Sequence, residues 1–370
     1  MTRDRVRDAG ALTLLVAVLG FLFSGYLALT LLASSDWNPT VFLKFGVESP
    51  ETVYGEQRFD ELVLAAHAGH DGKYYLIQAS DPFYLDPSEH ARYLDRPSYR
   101  AQRMLYPTVA GLFGLLPPLG IAWSLLLVNL VSVGIGTYLT SLLARQLGLS
   151  PWFGLAFALN PGIFISATLD TAEVMATAAV VGSVLLFLRG RELASSVVMT
   201  LAVLARESMV IAAFGLIAYV ALEKRRLNWH SVLPLLVPAS WWLYLRARIG
   251  YLSPEIQDTA AIGPPFEGFV DAMRFWTENP GNSGDMLTGF VLLALSGLVI
   301  YRALRHRGLL PLVVAGFGLL SILMSRPVWE AYFDATRVLA PLLTFYLLMV
   351  PVGRGSGSRR ENPRPVSPVG

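Results

Sequence analysis

Apolar runs, each about as long as the ~20 residues a helix needs to cross a bilayer, alternate with short arginine-rich patches, and this alternation limits what the chain can fold into. The runs fall at 11–33, 119–143, 151–168, 171–188, 230–249, 286–304, 309–325 and 337–352. Of 370 residues, 54% are hydrophobic and 15% are charged, against about 25% charged in a typical soluble domain. In lipid every backbone N–H and C=O must be bonded within the chain, which favours helices. The expectation is an all-α polytopic membrane protein with about ten transmembrane or half-membrane helices over residues 1–352, integral to the cytoplasmic membrane. The run at 11–33 exceeds the ~7–15 residues of a signal-peptide core and reads as a retained first span. The stretch GRGSGSRRENPRPVSPVG from Gly353 has little apolar surface to bury, so 353–370 reads as a disordered cytoplasmic tail.

Several function classes drop out at this stage. With no cysteine there is no disulfide framework, thiolate chemistry or zinc–thiolate site. The basic residues are scattered between apolar runs and form no stripe interleaved with aromatics, so nucleic acid is not an expected partner. No Walker A, G-x-S-x-G, HExxH or strand-to-helix GxGxxG motif occurs.

Charge placement orients the spans. Cytoplasmic connections carry an excess of Lys and Arg. The basic patches are Arg3/Arg5/Arg7, Arg145, Arg189/Arg191, Lys224/Arg225/Arg226, Arg302/Arg305/Arg307 and Arg354/Arg359/Arg360. All fall on one side if residues 104–117 do not cross fully and 193–222 go in and come back. Residues 104–117 are therefore expected as a juxtamembrane or re-entrant helix, and 193–222 as a hairpin with Arg206-Glu207 at its tip. Irregular backbone at membrane depth needs surrounding protein or a water-filled cavity. The outer face then receives a first loop of residues 34–103, the 169–170 turn, a second loop of residues 250–285, and 326–336. This is where the carboxylates collect.

The first outer loop is too long for a connector. GEQRFDELVLAAHA (55–68) has helical apolar spacing at Phe59, Leu62, Val63 and Ala66, as expected of an interfacial helix. So does the run after Gly72, with Tyr74, Tyr75 and Ile77. Asp71 stands where an N-cap for that run would sit, so it reads either as a cap or as a functional carboxylate. His70 reads either as an interfacial hydrogen-bonding residue or as a catalyst. SYRAQRMLYP (98–107) places Arg100 and Arg103 three apart on one helical face, suited to phosphate or to lipid headgroups. LNPGIFISATLDTAEVMATA (159–178) puts Asp170 and Glu173 at an outer turn. An intramembrane carboxylate such as Glu173 is costly, although at a helix start it also suits the dipole. In LARES (204–208), Arg206 and Glu207 read as a phosphate site or as part of a buried ion pair. Arg337 lies one turn into the last apolar run, pointing into the bundle. Arg246 and Arg248 break the positive-inside pattern on the outer side, which an outer phosphate would explain. EGFVDAMRFWTE aligns Phe269, Val270, Met273 and Trp276 as a second interfacial helix.

In their order, these residues resemble the integral-membrane GT-C glycosyltransferases, and in particular the GPI-type mannosyltransferases and their bacterial relatives. DGKYY at 71–75 is similar to that family's Asp-Gly-x-x-Tyr pattern in the first outer loop. NPGIFISATLDTAE at 160–173 is similar to its Asn/Ser-Pro…Phe…Glu hairpin, and LARES to its Leu-x-Arg segment. The resemblance spans roughly residues 10–350 and implies a polyprenyl-phosphate sugar donor and a glycan, lipid or protein acceptor. Asp71 would be the catalytic base and Glu173 a supporting acid. His70, Lys73, Tyr74, Arg100, Arg103, Asp170, Arg206, Glu207 and Arg337 would bind substrate or phosphate. It implies no cofactor beyond an optional divalent cation, and the first loop has no clean Asp-x-Asp or Glu-x-Asp pair to hold one. Two other classes stay open: a flippase or transporter of lipid or lipid-linked sugar, which should show two related halves, and a non-catalytic envelope-assembly protein, in which Asp71 is only a cap.

Overall fold

The computed structural model describes residues 3–225, 228–252 and 261–349, and within these it is almost entirely helical. The tail expected at 353–370, with Arg354, Arg359 and Arg360, lies outside the described residues, as do Arg226 and positions 253–260 of the second outer loop. Helix α1 (Arg3–Ala33) runs unbroken. The first long loop, residues 34–103, follows, and it is a folded layer. It holds β1 (Phe45–Gly46), α2 (Thr52–Glu56), β2 (Leu64–Ala65), α3 (Gly72–Ser80) and α4 (Pro97–Arg100). The two short strands pair in parallel, with Phe45 opposite Leu64. Next come α5 (Leu105–Ala110) and the long α6 (Pro118–Gln146), which packs along α1. Pro118 at the first position starts α6, where a missing N–H costs nothing.

Two expectations for the first loop are corrected. Residues 57–71 do not form an interfacial helix; after α2 they run as loop and as the short strand β2. Helix α3 does form, but Gly72 through Ala79 are all buried in protein and do not lie on a membrane surface. Its apolar residues face inward because the loop has its own core. Phe45, Tyr54, Tyr75 and Leu76 pack there with Tyr106, Ile121 and Leu125 from α5 and α6. Helical spacing alone does not distinguish a lipid-facing stripe from one that faces folded protein.

The rest of the chain forms a bundle. In it α7 (Leu155–Ala158), α8 (Pro161–Thr168), α9 (Glu173–Leu188), α10 (Glu192–Ala205), α11 (Val210–Tyr219) and α12 (Leu233–Ile249) are short. They are followed by α13 (Glu267–Glu278), α14 (Ser283–His306), α15 (Leu309–Leu323), α16 (Arg326–Glu330), α17 (Tyr332–Val338) and α18 (Ala340–Met349). Among the described residues three segments are long and apolar enough to cross a membrane: Gly10–Ala33, Pro118–Gln146 and Pro280–His306. Helix α5 is six residues long and ends at Ala110, too short to cross a bilayer by itself. Helix α10 stops where Arg206 turns extended (φ −147°, ψ 120°), and α11 begins at Val210. The core of the bundle is built from α9, α10, α11, α15 and α18.

Two glycines and one asparagine bring the distant segments together. The Asn160 side chain accepts from Gly162 N–H and donates to Ala340 O at 2.8 Å and Thr344 Oγ1 at 2.9 Å, tying the start of α8 to α18. A Cβ at Gly162 would lie 2.1 Å from Thr336 O, so α8 touches the backbone of α17 directly. A Cβ at Gly72 would lie 2.7 Å from both Leu169 O and Phe42 O, which seats the start of α3 against the α8–α9 turn. These contacts place Asp71, Glu173 and Arg337 within one region. Gly162→Ala is expected to push α17 off α8 at a cost of about 1–3 kcal/mol, typical of overpacking. Thermal unfolding in detergent should read this as a lowered midpoint, and an unchanged midpoint would contradict the contact.

Candidate active site

Asp71 occupies the N-cap position of α3, but its side chain makes no capping hydrogen bond. Its carboxylate turns away from the helix. Oδ1 accepts from Arg100 Nη1 at 2.8 Å and Oδ2 from Arg337 Nη2 at 3.2 Å. Burial pushes the Asp71 carboxyl up, yet Arg100 and Arg337 outweigh it and hold it well below the usual carboxylate range.

Arg337, 3% exposed, joins four residues. Nη2 bonds Asp71 and also Glu173 Oε1, at 2.8 Å. Nη1 bonds Asp334 Oδ1 at 3.1 Å, one turn back on α17, and lies 3.0 Å from His70 Nε2. Glu173, 1% exposed at the first position of α9, also has Arg206 Nη1 at 3.1 Å from its Oε1. That approach lacks hydrogen-bond alignment. Among the described residues Arg206 Nη1, Arg337 Nε and Glu173 Oε2 are buried without a hydrogen-bond partner.

Arg100 and Arg103 are each held by a two-pronged carboxylate pair. Arg100 forms a two-pronged pair with Asp95, Nε to Oδ1 at 2.8 Å and Nη2 to Oδ2 at 2.9 Å, besides its bond to Asp71. The Tyr74 ring supports it, 4.0 Å from the guanidinium carbon. Arg103 pairs in the same way with Glu207, both bonds at 2.8 Å, and donates to Tyr99. Arg103 follows α4 in a turn and does not share a helical face with Arg100. Both nevertheless line the same cavity.

The cavity has a volume of about 230 Å3. Its wall includes Arg96, Arg100, Arg103, Arg206 and Arg337 against Asp71, Glu173 and Asp334, an excess of positive charge. Such a wall attracts a small anion. Its carboxylates are held by arginines, and among the described residues no three His, Asp or Glu side chains are grouped to hold a metal ion. The residues present therefore do not fit the optional divalent cation.

Of the candidates outside the cavity wall, Tyr74, Glu207 and His70 stand against its arginines Arg100, Arg103 and Arg337, and two lie elsewhere. Lys73 Nζ is buried and donates to Ser49 Oγ at 2.5 Å and Ala68 O at 2.6 Å, with Glu51 at 3.4 Å; it locks the first loop. Asp170 is 0% exposed and is not part of the cavity wall. Burial pushes its carboxyl well above the usual range, against smaller pulls from Asn129 and Lys44. The outer phosphate invoked for Arg248 is also not needed, because Arg248 donates to Tyr84 O and Leu85 O and fastens α12 to the first loop. Sequence reasoning missed Asp95, Asp334 and Tyr75. Asp334 was legible as an (i, i+3) partner of Arg337.

Comparison with protein-family models, with curated proteins and with solved structures finds no match for the chain.

Two expectations follow. Breaking the Arg103–Glu207 pair with Arg103→Gln leaves a carboxylate without its partner and should cost about 3 kcal/mol or more. In a double-mutant cycle with Glu207→Gln the two losses should not add. Additive losses would show the pair to be uncoupled. A depressed pKa stabilises above the unfolded value and is lost as pH falls through the folded one. The stability gap between wild type and Asp71→Asn should thus stay constant at pH above about 5 and close only below roughly pH 4, the unfolded carboxylate value. A gap that closes near neutrality would contradict the ion pairs of Asp71.

Proposed function

We propose that this chain is a membrane glycosyltransferase that moves a sugar from a polyprenyl-phosphate donor to an acceptor hydroxyl. The reading keeps the GT-C resemblance, the topology of about ten full and half spans, and a site on the extracytoplasmic side of the cytoplasmic membrane. One observation carries it: Asp71, the aspartate of DGKYY, gives up its capping role to stand at the wall of an arginine-lined cavity. A carboxylate among cations beside a space for an anion is the equipment needed to deprotonate a nucleophile and stabilise a phosphate leaving group.

The acceptor oxygen attacks C1 of the sugar from the face opposite the phosphate, and its proton passes to Asp71. The C1–O bond to phosphate breaks, and its electron pair leaves with the polyprenyl phosphate, inverting the anomeric centre. Arg206 and Arg337 meet the charge that develops on the phosphate. Glu173 keeps those two arginines in place while the cavity is empty. An apolar groove of about 430 Å3 lies alongside, lined by Val203, Phe214, Pro238 and Trp242, with Glu207 at its polar edge. It suits an isoprenoid chain whose phosphate reaches the arginines.

The test is sugar transfer by the reconstituted protein offered a panel of polyprenyl-phosphate sugars, with released polyprenyl phosphate read by mass spectrometry. Wild type should release it, and Asp71→Asn should be slower by about 10²–10⁴-fold, the usual share of a general base. Equal release by both removes Asp71 from the chemistry. No release from any donor by wild type would defeat the assignment.

A further inference from the structure

The wall that carries Asp71 and the arginines has a second, uncharged part. Ala261, Ser325, Pro327, Val328 and Val338 line the same cavity, and of these Ser325 alone has a polar side chain. Ser325 stands at the N-cap of α16 with an extended backbone (φ −73°, ψ 165°), the geometry of a capping serine, yet its side chain caps nothing. The sequence SRPV explains this. A capping hydroxyl accepts from the N–H of the second or third helical residue. The second is Pro327, which has no N–H. The N–H of the third, Val328, donates to the Ser325 carbonyl at 3.1 Å. The second long loop holds Ser325 from its other side, where the Ser325 N–H donates to Ala261 O at 3.1 Å. The Ser325 hydroxyl is left buried, with no partner among the described residues. Native structures seldom leave such a group unbonded unless a ligand or water completes it.

We infer that Ser325 is a specificity residue: its hydroxyl bonds one ring hydroxyl of the transferred sugar, while Pro327 and Val328 cover a C–H face of that sugar. The inference rests on the proposed function and deepens it by naming the sugar class, a single uncharged hexose. In that reading the phosphate and the acceptor hydroxyl are served by the charged part of the wall. The ring between them carries C–H and O–H groups, and an apolar surface with one free hydroxyl matches it. A hydroxyl both donates and accepts, so it can complete either end of a bond to a sugar O–H. A sugar carboxylate or ammonium would lose its water on entering and find no counter-charge on this part of the wall. Size points the same way. At about 30 Å3 per water, the 230 Å3 of the cavity holds the equivalent of about eight waters, room for one hexose and too little for two. A site built to hydrogen-bond a substrate hydroxyl rejects the analogue that lacks it, because its own buried group is then left unpaired.

The experiment is transfer kinetics of the full chain in lipid nanodiscs, wild type against Ser325→Ala. The donors are the decaprenyl-phosphate hexose that wild type uses, its 2-, 3-, 4- and 6-deoxy forms, and the corresponding hexuronic acid. At one ring position, removing the sugar hydroxyl should cost wild type about tenfold in kcat/KM, the scale of one hydrogen bond whose buried partner is left unmade. The same removal should cost Ser325→Ala nothing further. The unfolding midpoint of Ser325→Ala without donor should not fall, because the hydroxyl bonds no protein group among the described residues. A lowered midpoint, or a loss by the same factor on every donor, makes Ser325 a structural residue and overturns the inference while the proposed function stands. Use of the hexuronic acid donor as readily as the hexose overturns the assigned sugar class. No transfer from any donor by wild type defeats the proposed function, and the inference falls with it.

Discussion

An arginine cannot be buried in a helical bundle without carboxylates around it, and Arg337 is the one around which the other functional groups are arranged. Removing one partner from such a network leaves a charge stranded, at a cost of about 3–5 kcal/mol. Arg337 therefore fixes relations that the chain order does not suggest. It joins the start of α3 through Asp71, the start of α9 through Glu173 and its own helix through Asp334. The close backbone approaches at Gly72 and Gly162 let these three elements meet. Packing and charge agree on one arrangement, and Glu173, Arg206 and Arg337 line the cavity beside it.

Much of this was legible because it follows from the solvent. Lipid makes apolar runs helical, so most expected spans appear as helices, although among the described residues three are long and apolar enough to cross. The break at Arg206-Glu207 was readable because two charges in an apolar run need a cavity or partners, and both have them. Asp71, Arg100, Arg103, Glu173, Arg206 and Arg337 share one cavity, and each of them stood out as a charge at the outer ends of apolar segments.

What escaped was whatever depends on tertiary neighbours. The stripe on α3 looked lipid-facing, because a sequence does not say whether protein or bilayer covers it; the first loop turned out to bury it. Lys73 stood beside Asp71 in the chain, yet on a helix adjacent residues diverge, and its ammonium reaches Ser49, Ala68 and Glu51. Asp170 was grouped with Glu173 by proximity in the sequence. A turn between them, with Asp170 at φ +46°, sends Glu173 to the cavity wall and leaves Asp170 fully buried away from it. Tyr75 read as part of an interfacial stripe, whereas its ring is core; the unpartnered hydroxyl at its tip has no signature in sequence.

The central claim is that one phosphate of a lipid-linked sugar sits between Arg206 and Arg337 with the sugar turned toward Asp71. The most direct measurement is an electron cryomicroscopy structure of Asp71→Asn bound to a non-hydrolysable polyprenyl phosphonate sugar. The account predicts phosphonate density within hydrogen-bond reach of Arg206 and Arg337, and the anomeric carbon facing residue 71. Density for the headgroup on any other surface, with this cavity closed around its own ion pairs, would contradict it.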